Sequence, residues 1–141
     1  MNNMSYKIVE HTADLRLKVS SPTLEDLFRD AAFGMMRVLK TDLEDYLDEK
    51  PTIKRELELG ANNTTVLLVD FLNEILTLAE TNEEIYTKIS FKEIDENSIY
   101  AILEGIKIDE FDEDIKAVTY HEVDIKRNKL GELETILIFD I

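Results

Sequence analysis

The stretch IYTKISFKEIDENSIYAILEGI, residues 85–106, decides the fold class. Two apolar runs, 85–94 and 99–106, flank Asp95-Glu96-Asn97-Ser98, a turn-rich tetrad suited to a β-hairpin. A second pair follows downstream: 116–125 and 133–139 read as strands joined through 126–132, with Asn128 and Gly131 as turn formers. Upstream lie two segments with helical periodicity. In the first, Leu24, Leu27, Phe28, Ala31, Met35, Val38 and Leu39 recur at three- and four-residue spacing, with Thr23 as the N-cap and Asp26 in the capping-box place. In the second, an Asn63 N-cap starts a helix running to about Glu80, and Leu68, Phe71, Leu72, Ile75, Leu78 and Ala79 form its main stripe. Leu67, Val69 and Leu76 widen that stripe, which predicts deeper burial, while Asp70, Asn73, Glu74, Thr77 and Glu80 mark its wet side. Two hairpins after two helices predict a single α+β domain over residues 1–141, two amphipathic helices packed on a mainly antiparallel β-sheet.

Toward the N-terminus the period changes to two. Leu15, Leu17 and Val19 alternate with Arg16, Lys18 and Ser20, as in a strand with one buried face, and residues 6–10 read as a strand before it. Residues 53–59 fit a strand less cleanly, and Gly60-Ala61-Asn62 ends it. The acidic stretch 41–50, closed by Pro51, is expected to be a solvated connection; it lacks the glycine and ligand spacing of an EF-hand. Met35 and Met36 read as core filling.

Composition narrows the function classes. A chain of 141 residues with 44% hydrophobic and 33% charged content suits one compact domain. The absence of cysteine excludes disulfides and thiolate metal sites. No run approaches the ~20 apolar residues that span a bilayer, and no signal-like segment stands at residues 1–7, so the expected location is cytoplasmic. With 31 acidic against 16 basic residues the net charge is -15, which repels nucleic acid; it serves either solubility alone or docking on a basic protein. No glycine-rich phosphate loop occurs.

Three separated motifs remain: His11-Thr12-Ala13-Asp14, Lys116-Ala117-Val118-Thr119-Tyr120-His121, and the final Phe139-Asp140-Ile141. Were Asp14, Asp140 and the terminal carboxylate at Ile141 to meet, each pair of charges ~4 Å apart would repel by ~4 kcal/mol at an effective dielectric near 20. Such a cluster takes up protons or recruits a cation. Oxygen-only donors select a hard ion; calcium suits a terminal residue best, and magnesium or manganese is accepted. The meeting requires the strand after Asp14 to neighbour the last strand. Otherwise Asp14 caps a turn and Asp140 is a chain end. His11 and His121, the two histidines, read either as ligands or proton carriers, or as half-buried groups tying strands together. Lys116 alternates with Val118 and Tyr120 on one strand face, so its amine reads as a counter-ion to the acids, a partner contact, or a solvated tip.

In order and spacing these motifs resemble the archease family, and the likeness runs over most of the chain, the two apolar helices included. The resemblance implies that Asp14, Asp140 and Ile141 bind calcium. It also implies a protein cofactor of the RtcB-type tRNA-splicing ligase, one that assists formation of the guanylylated-histidine intermediate and multiple turnover without catalysing ligation itself. One departure stands out: archeases usually carry glycine two residues after the motif aspartate, where this chain has Arg16. Two other readings stay open. The acidic surface and amphipathic helices suit a chaperone-like interaction module, and the carboxylates with His121 suit a metal-dependent phosphoester hydrolase, although no nucleophile constellation is visible.

Overall fold

The computed structural model describes residues 14–141. The strand expected over 6–10, and His11, lie outside the described residues. In chain order come β1 (Asp14–Ser21), α1 (Leu24–Leu39), β2 (Ile53–Gly60), α2 (Thr64–Asn82), β3 (Glu84–Ile94), β4 (Ser98–Lys107), β5 (Ala117–Val118), β6 (Lys126–Arg127) and β7 (Leu133–Asp140). The class is α+β and every pairing is antiparallel, but the strands form two sheets rather than one. One has the order β1-β7-β5, with β6 also on β7; the other has the order β2-β4-β3. Both sheets and both helices share one hydrophobic core, with α1 on β1 and β3, and α2 on β3 and β5.

Both helices begin where the caps predict. Thr23 Oγ1 accepts from Asp26 N at 3.1 Å, and Asn63 Oδ1 from Val66 N at 2.9 Å, each satisfying an otherwise free first-turn donor. Only half of the capping box is made, because the Asp26 carboxylate accepts from Arg29 Nη1 instead. The second helix runs slightly past Glu80 and ends at Glu83, whose φ of 56° is left-handed. Met35 and Met36 are fully buried core. Among the described residues no helix is long and apolar enough to cross a membrane.

Two stretches depart from the sequence reading. The 41–50 connection contains a 3-10 turn over Leu43–Tyr46, and Leu43 is fully buried, so an apolar anchor pins what charge alone describes as solvated. The strand expected over 116–125 survives only as β5 and β6. Seven residues, 119–125, lie opposite four of β7, 135–138, so the chain must leave the sheet; it bends at Glu122, with φ 62°, and returns Val123 to the core. The hairpin turn itself is as expected, closed by Asn128 and Gly131.

The second sheet holds a buried charge. Glu84 is 1% exposed and accepts from Arg55 Nε at 3.0 Å, Arg55 Nη2 at 2.6 Å and the Tyr86 hydroxyl at 2.8 Å. Burial pushes the Glu84 carboxyl up, and the hydrogen bonds from Arg55 and Tyr86 more than reverse this, leaving it below the ordinary carboxylate value. Burial, reinforced by the neighbouring carboxylate, drives the Tyr86 phenol well above its usual range. Because the folded-state value of Glu84 is depressed, its contribution is present above the unfolded value of 4.5 and is lost as pH falls through the folded one. Urea titrations of Glu84→Gln are therefore expected to show lower stability at pH 7 and a shallower loss below about pH 4.5 than wild type.

Gly105 lies on the central strand β4, opposite the point where β3 is irregular between Tyr86 and Lys88. A Cβ there would sit 1.8 Å from the Ile85 carbonyl oxygen, whereas one at Gly60 would meet nothing closer than 3.6 Å. Gly105→Ala is expected to cost about 3 kcal/mol in urea unfolding, against about 0.5 kcal/mol or less for Gly60→Ala.

Candidate metal centre

β1 and β7 pair along their whole length, from Asp14↔Asp140 to Ser21↔Leu133. Opposed residues of an antiparallel pair share a face. Leu15, Leu17 and Val19 therefore lie inward with Phe139, Leu137 and Thr135, against the helices, while Asp14, Arg16, Lys18 and Ser20 lie on the other face with Asp140, Ile138, Ile136 and Glu134, where Ile138 is nonetheless covered, at 3% exposed. The neighbour relation that the two aspartates require is present, and they are directly opposite. Cβ atoms of such a pair stand ~5 Å apart, and like charges there destabilise.

Asp14 is exposed and Asp140 half-buried, with Asp140 Oδ1 buried and without a hydrogen-bond partner among the described residues. A stranded buried acceptor costs about 1–3 kcal/mol, more when charged. A bound cation would relieve both that penalty and the repulsion, so the donor set fits the hard ion that the sequence implies. Ile141 packs its side chain against the core, which holds the adjoining main chain beside Asp140. Among the described residues no group of three or more acidic or histidine side chains is close enough to hold a metal; the third expected donor, at Ile141, is main chain.

β5 flanks β7 on the other edge. Ala117 is opposite Asp140, and Lys116 N donates to the Asp140 carbonyl at 2.7 Å. The Lys116 side chain is exposed and makes no ion pair among the described residues, and it does not share a face with Val118, which is buried. The shift of the Lys116 hydrogen bond off the Ala117 pairing breaks the expected alternation. His121 is not a half-buried strand tie: its side chain is 82% exposed, with Nε2 3.8 Å from Glu122 Oε2. Glu122 reaches back across β7 to Arg16, at 3.3 Å. Arg16 itself has ordinary strand backbone, since Glu83 and Glu122 are the non-glycine residues with positive φ among those described.

Asn73 is the functional-looking residue that pattern reading misplaced on the wet side of α2. Its Nδ2 donates to the Val118 carbonyl and its Oδ1 accepts from Val118 N, both at 2.9 Å, so the amide serves β5 as a substitute strand. The Tyr120 hydroxyl adds a bond to Asp70 on the same helix. The one available signal was an asparagine deep in a helix, where it is a poor former. A cleft of about 800 Å³ lies elsewhere, between both helix N-termini and the 123–127 segment; neither aspartate lines it.

An acidic α+β domain with two carboxylates directly opposed at one end of the β1–β7 ladder is the class that fold and site define. The archease protein family (MTH1598/TM1083) model matches residues 6–141. The protein archease of Methanosarcina mazei is 34% identical over 134 residues, covering 89% of each chain, and that of Methanosarcina acetivorans is 33% identical over the same length. The solution structure of protein 1598 of Methanobacterium thermoautotrophicum superposes with a TM-score of 0.72 at 25% identity, covering 94% of this chain and 96% of that one. A crystal structure from Thermotoga maritima, described as an archease and possible chaperone, has the same fold at a TM-score of 0.67 and 22% identity, covering 99% of this chain and all of its own. The chain belongs to the archease family.

Asn73→Ala strands the Val118 N–H and carbonyl together. It is expected to cost about 2 kcal/mol and to speed hydrogen exchange at the Val118 and Thr119 amides well beyond the rest of the first sheet, as read by NMR.

Proposed function

We propose that this protein is a calcium-binding cofactor of the RtcB-type tRNA-splicing ligase, promoting the ligase's guanylylation and turnover in the cytoplasm and not joining RNA itself. The observation that carries the cation reading is the direct opposition of Asp14 and Asp140 with a buried, unpartnered Oδ1. Membership of the archease family supports the partner. The net charge of -15 argues for docking on a basic protein surface and against direct contact with RNA. The Asp14–Asp140 end is the tip that would meet the ligase, where it orders groups or delivers the ion; magnesium and manganese are the competing ions.

Two measurements test this. In single-turnover guanylylation of a matching ligase, wild type accelerates the step and Asp14→Ala does not, while retaining the wild-type circular dichroism spectrum. In thermal unfolding, calcium at a hundredfold excess over Kd adds about 2.7 kcal/mol to wild type, about 10 °C in Tm for a domain of this size, and nothing to Asp14→Ala. Identical wild-type Tm values in calcium and in chelator would sink the cation reading, and unstimulated ligase would sink the partner.

A chaperone-like interaction module is the second reading, favoured by the exposed Tyr120 and Leu130 and by the description of the Thermotoga relative. It differs in outcome: association with many basic proteins that fades steeply with salt, in place of stimulation of one enzyme.

A further inference from the structure

Besides Asp140 Oδ1, two buried side-chain oxygens among the described residues have no hydrogen-bond partner, Thr119 Oγ1 and Thr135 Oγ1. Thr135 lies on the inner face of β7, opposite Val19 and in line with Leu137 and Phe139 of the core. Thr119 is placed differently. Its N–H donates to the Ile138 carbonyl at 3.0 Å, which carries the β5–β7 pairing one residue beyond Ala117↔Asp140 and Val118↔Phe139. Val118 and Phe139 point into the core, so Thr119 stands beside Ile138 on the outer face, the face of Asp140 and Asp14. Thr119 and Asp140 are thus diagonal neighbours on adjacent strands, a placement that puts residues about 7–8 Å apart across a ladder, close enough for a ligand held between their side chains.

Each orphaned oxygen alone carries a desolvation penalty, and one ligand between them relieves both. We propose that Thr119 belongs to the same site as Asp14 and Asp140, its hydroxyl supplying a neutral oxygen to the bound cation, directly or through one coordinated water. The inference rests on the cation reading given above. A neutral donor raises the ligand count without adding to the repulsion between the aspartates. That favours calcium, which takes six to eight oxygens, over magnesium, which keeps its waters. The placement is not left to a free loop: Asn73 holds both main-chain groups of Val118, the residue immediately before Thr119.

The test uses the full chain with Thr119→Val, which keeps the shape and removes the hydroxyl, and Thr119→Ser, which keeps the hydroxyl. Calcium and magnesium affinities are measured by titration calorimetry, and Tm in chelator. Thr119→Val is expected to weaken calcium binding about tenfold or more and magnesium binding less, with Thr119→Ser within about threefold of wild type. In chelator the Tm of Thr119→Val stays at or above that of wild type, because a stranded hydroxyl has been removed, whereas a merely structural threonine would lower it. Wild-type calcium affinity in Thr119→Val overturns the assignment while leaving the two-aspartate site intact. A wild-type protein that binds no divalent cation overturns both.

Discussion

The ladder between β1 and β7 is the constraint on which the rest depends, because it joins opposite ends of the described chain in one register. Side chains alternate with a period of two, so a slip of one residue would turn Asp14 inward and expose Leu15, Leu17 and Val19. Burial of those three against Leu137, Phe139 and the helices is what sets the register. Val19, Leu137 and Phe139 are buried and Leu15 and Leu17 partly so; at about 1.5–3 kcal/mol for each fully buried large apolar side chain, this packing outweighs the ~4 kcal/mol by which two carboxylates ~4 Å apart would repel. The hydrophobic face thus holds the outer face in an arrangement that it would not choose by itself. A bound cation would relieve the repulsion that this register imposes.

Two carboxylates of this fold, Glu84 and Asp140, make an instructive contrast. Glu84 is the more buried, yet every bond it needs comes from its own chain, two from Arg55 and one from Tyr86. Such a group fixes a structure and leaves nothing for a ligand. Asp140 has less burial and one oxygen with no partner, next to a second acid that makes matters worse. Within one acidic chain, hydrogen-bond satisfaction separates the structural carboxylate from the candidate site better than burial does.

Much of this was legible in the sequence where the physics is local. Caps at Thr23 and Asn63, the stripes of both helices, and the turns at Asp95–Ser98 and Asn128–Gly131 all follow from near neighbours. Alternation told which residues of 15–19 face inward, but not which strands they pair with, so the division into two sheets was invisible. The same rule misled at 116–125, where the pattern fits a strand and the surplus of residues opposite β7 forbids one. Asn73 reads as solvated because its polar partner, the Val118 main chain, is distant in sequence. At the site, Asp14 and Asp140 stood out by motif, whereas Thr119 lay inside a motif with no sign of its stranded hydroxyl, and the exposure of His121 depends on a bend at Glu122 that no periodicity announces.

Arg16 sharpens the electrostatic argument. This chain puts a cation on the outer face, two residues along β1 from Asp14 and so ~7 Å away by strand rise. A unit charge at that distance would act on a divalent ion at the aspartates with ~1 kcal/mol in water and several times more at lower effective dielectric, in the direction that opposes binding. Glu122 offsets it: the carboxylate meets the guanidinium at 3.3 Å, from the segment that bends over β7. Both groups are half-exposed, so as an ion pair they contribute little to stability. Their effect is on the field, because a paired Arg16 presents a dipole rather than a net charge to the aspartates. The bend at Glu122 that breaks the expected strand therefore also keeps a basic residue from cancelling the acidic end of the molecule.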